Sequence, residues 1–272
     1  MPTADEGSTE MSVTMESPAV APVNGAVANV MRILRARGMS VPAAGEFEDR
    51  PDSTDEYQAQ VNRTAWANSL ALSSHDDYNR FCLERLAPEQ EPERLRAFVD
   101  ALVTVRRHNR AQLRVPAPDR ALKTVARLNA VLSGNVGTGK TAAAIAAGSY
   151  AVDSGIMVRF LSHSRYLAWL RPNSAPAGMT TLRLKELHER CDLLIVDDLC
   201  NELDGYASTF VRTETADLLN ARLHSGRATI FTTNLNSAQV GEVLGERFAS
   251  RIGSQAAHFK MVGGDRRRPL KW

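Results

Sequence analysis

The sequence has little of what would carry a chain out of a reducing, aqueous compartment. Its 272 residues include only three cysteines, Cys82, Cys191 and Cys200, and no CxxC pair. Neither a disulfide framework nor a conventional zinc site is expected, and all three read as small buried hydrophobes. No apolar run approaches the ~20 residues a membrane-spanning helix needs. The longest weakly polar stretch, Ala142 to Val152, is far shorter. Asp5 and Glu6 stand where a secretory signal would carry positive charge, so a cytoplasmic protein with no membrane partner is expected.

Net charge is also small, at +2, but the total conceals an uneven distribution. Residues 1–56 hold ten acids against four basic residues, whereas residues 94–127 hold nine Lys and Arg against two acids. The second stretch suggests a polyanion or an acidic surface as neighbour, or else a solvated helix face. On an ideal helix Arg96, Arg107 and Arg110 project within roughly 60° of one another.

What is present is a hydrophobic content of 43%, enough for a packed core. Residues 1–55 read as a mostly disordered segment, poor in apolar periodicity. One short basic amphipathic helix interrupts it over 27–37, where Val27, Val30, Met31 and Leu34 share a face. Residues 56–115 read as a helical region with a break at Pro88 to Pro92; its second helix carries an apolar stripe of Leu95, Phe98, Val99, Leu102 and Val105. Pro116 and Pro118 mark a boundary, and residues 116–272 read as an α/β domain. Its expected strands are 129–133, 156–162, 193–197, 228–233 and 257–262. Its expected helices are 140–153, 164–170, 181–189, 213–225 and 237–252, the last with a break at Gly245. Apolar strands alternating with helices imply a parallel sheet of about five strands covered on both faces.

The sharpest signal lies between the first strand and the first helix of that domain. Gly134-Asn135-Val136-Gly137-Thr138-Gly139-Lys140-Thr141 is a complete GxxxxGK[ST] phosphate-binding loop. Its glycines let the backbone wrap close to phosphates while successive N–H groups and the helix N-terminus face negative charge. Lys140 brings a point charge to the outer phosphates and Thr141 a hydroxyl to Mg²⁺. ATP with Mg²⁺ is the expected ligand. At the end of the third strand, Asp192-Leu-Leu-Ile-Val-Asp197-Asp198 places two carboxylates beside the loop, which is costly without a cation. Asp197 is the expected metal ligand, with Thr141, and Asp198 the residue that orients or deprotonates the attacking water. Asn234, after Thr232-Thr233, offers an uncharged amide to the γ-phosphate or the water. Arg247 and Arg251 on one helix and Arg266, Arg267 and Arg268 after the last strand are sources of the cation that phosphoryl transfer requires.

With these residues in order, the chain resembles the AAA+ ATPases over about residues 128–268, and more narrowly the DnaC-type helicase loaders and the IstB-type transposition ATPases. The segments that carry the resemblance are 131–141, 192–199, 232–235, Leu244-Gly-Glu-Arg-Phe-Ala-Ser-Arg251 and Gly263-Gly-Asp-Arg-Arg267. It implies that Asn234 is the sensor 1 residue, that Arg251 is the finger acting on the next subunit's nucleotide, and that Arg267 is the sensor 2 residue, with Arg266 or Arg268 as neighbours in register. The pair Asp197-Asp198 stands where many AAA+ proteins have Asp-Glu, which implies slow hydrolysis. Only 38 residues follow Asn234, too few for a full C-terminal lid.

The implied function is an ATP-dependent loader that engages a replicative helicase of the DnaB-type hexamer, holds single-stranded DNA and self-associates through AAA+ interfaces. The alternative is an ATPase that oligomerises on duplex DNA and stimulates a transposase. A metabolite kinase, and an adaptor using ATP only as an assembly ligand, are further readings of the same loop.

Overall fold

In the computed structural model, which describes residues 51–113, 115–200, 207–254 and 256–266, the apolar runs gather into one sheet. Strands β1 (Asn129–Gly134), β2 (Val158–Ser162), β3 (Leu193–Asp197), β4 (Ala228–Thr233) and β5 (Ala256–Met261) lie in the order β2-β3-β4-β1-β5. Every neighbouring pair is parallel, which needs a crossover rather than a hairpin between strands. The central strands β3 and β4 are buried at every position because both faces are covered, whereas the edge strand β5 exposes His258 and Lys260. In β3, Leu193 and Ile195 enter one hydrophobic cluster, Leu194 and Val196 the other. The helix proposed over 27–37 lies outside the described residues.

One face carries α1 (Pro51–Leu72), α2 (Pro92–Gln112) and α3 (Lys140–Asp153). Eight of the fourteen residues of α3 are Ala, Gly or Ser because it lies between the sheet and α1: a Cβ added to Gly148 would fall 2.7 Å from both Trp66 and Ile195. Trp66, Leu70, Leu95, Phe98 and Leu102 share a cluster with Ala130, Leu132 and Ile195, so Pro116 and Pro118 join two parts of one core. The α2 stripe closes with Val103, not with the half-buried Val105. β2 begins at Val158, two residues after the expected Ile156, because Ile156 N–H is still bonded to Ala151 O of α3 at 3.2 Å.

The other face carries α4 (His163–Trp169), α5 (Thr181–Arg190), α6 (Thr209–His224), α7 (Ser237–Leu244) and α8 (Glu246–Ser254). Thr180, Ser208 and Asn236 cap α5, α6 and α7 by accepting the N–H groups of Arg183, Val211 and Gln239. The Ser208 cap starts α6 at Thr209, four residues before the expected Thr213. Gly245, at φ +99°, separates α7 from α8. Among the described residues, the chain after Asn234 forms no separate lid: α7 and α8 lead into β5, which pairs with β1.

Arg222 of α6 is fully buried, and burial lowers its pKa. Its guanidinium donates to His188 O at 2.6 Å, Glu189 O at 3.2 Å and Cys191 O at 3.1 Å, to Ala228 O, and to Thr229 Oγ1 at 3.0 Å. It thereby closes the C-terminus of α5 and ties it to the start of β4. Each buried carbonyl left without a donor costs about 1–3 kcal/mol. Arg222→Ala is therefore expected to lower unfolding free energy in urea by at least about 3 kcal/mol; a loss under about 1 kcal/mol would contradict this role.

Two buried histidines make the fold acid-sensitive. His163 Nε2 bonds Thr215 Oγ1 at 2.9 Å while Nδ1 accepts Cys200 N–H at 3.4 Å, and His188 Nδ1 donates to Leu184 O at 2.8 Å. Burial pushes both down to about 4 from 6.5. A depressed histidine pKa means that the unfolded chain takes up the proton first. Stability is therefore complete above pH 6.5 and is lost as pH falls from 6.5 toward 4. The two together approach about 2.7 kcal/mol per pH unit only about a unit below 6.5, and proton uptake by the buried Asp197 carboxyl offsets about half of this, so urea titrations should show a net loss of about 1 kcal/mol per pH unit between pH 6 and 5.

Candidate nucleotide-binding site

The parallel order brings the carboxyl ends of β1, β4 and β3 side by side. β1 runs into the glycine-rich loop 134–139, β4 delivers Asn234, and β3 delivers Asp197. In the loop, Gly137 and Gly139 have φ of +81° and +87°, a region costly for a residue with a Cβ. Thr138, nearly fully buried, ties the turn by donating Oγ1–H to Asn135 O at 2.8 Å, while Val136 stands exposed at the tip.

Lys140, only 6% exposed, donates Nζ to Gly134 O and Asn135 O, both at 2.9 Å, and to Asn234 Oδ1. Thr141 Oγ1 donates to Asp197 Oδ1 at 2.9 Å, and Thr232 Oγ1 donates to the same oxygen at 2.6 Å while accepting Asp198 N–H at 2.9 Å. Asp198 is exposed and takes φ +55°. The structure thus brings together Lys140, Thr141, Asp197, Asp198 and Asn234, residues up to 94 positions apart.

Asp197 is 1% exposed, and its pKa is pushed up to about 6, first by burial and then by the charge of Asp198, against the bonds from Thr232 and Thr141. A buried carboxylate held in its disfavoured ionic form, next to a hydroxyl, is a hard-oxygen donor set of the kind Mg²⁺ takes. With the glycine turn and a buried ammonium beside it, the residues present fit a magnesium-bound triphosphate.

Arg251, on α8, is exposed and bonds Asn220 of α6; it touches no member of this cluster. Arg267 and Arg268 lie outside the described residues. Arg266 is described, and its N–H donates to Gly137 O at 2.9 Å. Three neighbours were not anticipated. Thr232 had a signal, a hydroxyl at a strand end beside Asn234. His75, whose Nε2 lies 3.9 Å from Asp197 Oδ2, and Gln90, which bonds Gly139 O, had none.

The cation surplus of residues 94–127 turns out to be largely engaged within the molecule. Arg94 stacks on Phe259 and bonds His258 O; Arg96 pairs with Glu84 over the Tyr150 ring; Arg106 pairs with Asp192. Arg107, Arg120 and Arg127 donate to the carbonyls of Ser154, Val115 and Ala256. Arg110 and Lys123 keep no side-chain bond among the described residues. Arg106, Arg107 and Arg110 line a cleft of about 650 Å³ that also includes Ser154–Ile156 and Asp192, at the sheet end opposite the loop. No described helix is long and apolar enough to cross a membrane.

A phosphate loop after the first strand of a parallel sheet ordered β2-β3-β4-β1-β5, with an acid at the end of β3 and an amide at the end of the intervening β4, defines a P-loop ATPase of the AAA+ class. The chain belongs to the family of IstB-like ATP-binding proteins, whose model matches residues 117–258, more than half of the 272. No curated protein matches it. Among solved structures it is similar to the DnaC helicase loader, at 22% identity and a TM-score of 0.52 over 68% of this chain and 99% of that one. It is also similar to the replication initiator DnaA bound to AMPPCP and single-stranded DNA, at 17% identity and a TM-score of 0.51 over 68% of this chain and 50% of that one. AMPPCP-bound DnaA from Aquifex aeolicus gives 17% and 0.50 over 69% and 52%. The chain spans about half the length of these initiators.

Proposed function

We propose that this protein is an ATP-dependent loader of a replicative DNA helicase onto single-stranded DNA, with ATP held between AAA+ protomers. The observation that carries the reading is the extent of the likeness. It takes in 99% of the DnaC loader chain but only about half of the initiators.

In this reading Lys140 leaves the carbonyls of Gly134 and Asn135 for the outer phosphate oxygens, and the N–H groups of residues 134–139 line the remainder. Thr141 and Asp197 hold Mg²⁺, which supplies charge neutralisation on the phosphates when bound. Asp198 orients or deprotonates the attacking water. Asn234 hydrogen-bonds the γ-phosphate or that water without adding charge. Arg251 of a neighbouring protomer adds the cation, a contribution of about 10³ to 10⁵ in rate where it has been measured, and Arg267 or its neighbour Arg266 adds another. Helices α1 and α2, with the segment before them, grip the helicase. Arg110, Lys123 and α4 with the turn after it, near Arg165 to Arg171, contact DNA phosphates, with affinity falling steeply as salt rises. The test is direct: purified protein should co-purify with a replicative hexamer and promote its loading on single-stranded circles, and failure in both would reject the assignment.

The family match also favours a second reading, a transposition ATPase that assembles on duplex DNA and stimulates a transposase. ATP-dependent filaments on duplex DNA, with no helicase retained, would select it.

A further inference from the structure

The phosphate loop is held from outside by two segments. The first lies between α1 and α2. Gln90, 4% exposed, accepts Ala87 N–H on Oε1 at 3.1 Å and donates Nε2–H to Gly139 O at 3.0 Å. Its carboxamide is thus anchored in its own turn, and α2 begins two residues later at Pro92. The second follows β5. Besides the bond from Arg266 N–H to Gly137 O, the Asp265 carboxylate lies so close to Gly137 that a Cβ there would fall 2.2 Å from Oδ1. The Arg266 stem passes Gly139, 3.6 Å from where its Cβ would be. Arg266 Nη2 then pairs with Glu89 Oε2 at 3.1 Å, joining the two segments across the loop.

We propose that Glu89-Gln90 and Asp265-Arg266 form a clasp that the nucleotide opens, and that its opening transmits occupancy of the phosphate loop to α1 and α2. The proposal rests on the reading of the loop as an ATP site and adds the regulation of that site. Two physical steps support it. The carbonyl that Gln90 holds belongs to the planar peptide whose N–H is that of Lys140. The same carbonyl accepts Ala143 N–H of α3 at 2.9 Å, so a shift of the helix start as its N–H groups close on a phosphate pulls on Gln90. An incoming phosphate also meets the exposed Asp265 carboxylate against Gly137, and like charges repel. Asp265 moves away, Arg266 follows as its chain neighbour, and its guanidinium exchanges Glu89 for phosphate oxygens. Both movements reach the turn that leads directly into α2, whose Leu95 and Phe98 lie in the core shared with the sheet.

Hydrogen exchange on the full chain, with and without AMPPCP and Mg²⁺, tests this. Wild type should change protection across residues 83–95 by about threefold or more on AMPPCP binding. Gln90→Met, nearly equal in volume, should bind AMPPCP to within about threefold but lose that response. Glu89→Gln, at an exposed position where folding is not at stake, should speed association of a fluorescent ATP analogue severalfold. AMPPCP uptake with no change across 83–95, or both variants behaving as wild type, would overturn the clasp while leaving the ATP site intact. No AMPPCP uptake by wild type would overturn the site reading, and the clasp with it.

Discussion

Asp197→Asn is expected to make the nucleotide-free protein more stable while abolishing magnesium-dependent turnover. The carboxyl is almost wholly buried, and its pKa is pushed up from 3.8 to about 6. A folded-state pKa above the unfolded value means that the ionised group opposes folding at pH 7. The opposition fades as pH falls through 6 and is gone below 3.8. Its size is on the order of 2 kcal/mol at neutral pH. The asparagine Oδ1 can still accept from Thr141 and Thr232, as Asp197 Oδ1 does, and the amide removes repulsion with Asp198. Melting temperature without nucleotide should therefore rise by several degrees. Turnover should fall by more than about 100-fold, since even residues that only support a metal ligand are worth ~10–100-fold. The variant should also be more acid-labile in slope. Proton uptake by Asp197 below pH 6 normally offsets one of the two buried histidines. A lower melting temperature with turnover retained would contradict the assignment.

Lys140→Ala should shift both quantities in the same direction. Its ammonium donates to Gly134 O, Asn135 O and Asn234 Oδ1, so alanine removes the charged donor these acceptors share and lowers apo stability. Two charge-assisted bonds to phosphate, at about 1.5–3 kcal/mol each, correspond to a loss of at least about 100-fold in nucleotide affinity. Calorimetric titration of AMPPCP reads the second effect and thermal unfolding the first. The two variants separate two buried charges of opposite role: one destabilises the empty protein, the other holds it together.

The loop and the strand ends were legible because their information is local. Eight consecutive residues spell the turn, and four apolar residues ending in Asp197 spell a buried strand whose end must face a cation. The order of the strands then places Asn234 between them. Gln90 and Asp265 were not legible, because each meets the loop only through the path of the chain, Gln90 across 49 positions. The partners of the α2 arginines were hidden for a related reason. Charge can be counted in a sequence, whereas the carbonyl of Ser154 or the ring of Tyr150 waiting opposite a guanidinium cannot. Arg222 was silent in the same way: an arginine in the last turn of a helix reads as surface until the folded chain closes over it.

The central claim is that ATP is turned over between protomers, the phosphate loop of one and Arg251 of the next acting together. Mixing two inactive variants tests it most directly. Arg251→Ala keeps a complete loop and Lys140→Ala keeps the arginine, so mixed assemblies contain interfaces with both. ATP hydrolysis absent in each variant alone and restored on mixing is the predicted result. Full turnover by Arg251→Ala alone, or no recovery in the mixture, would contradict it.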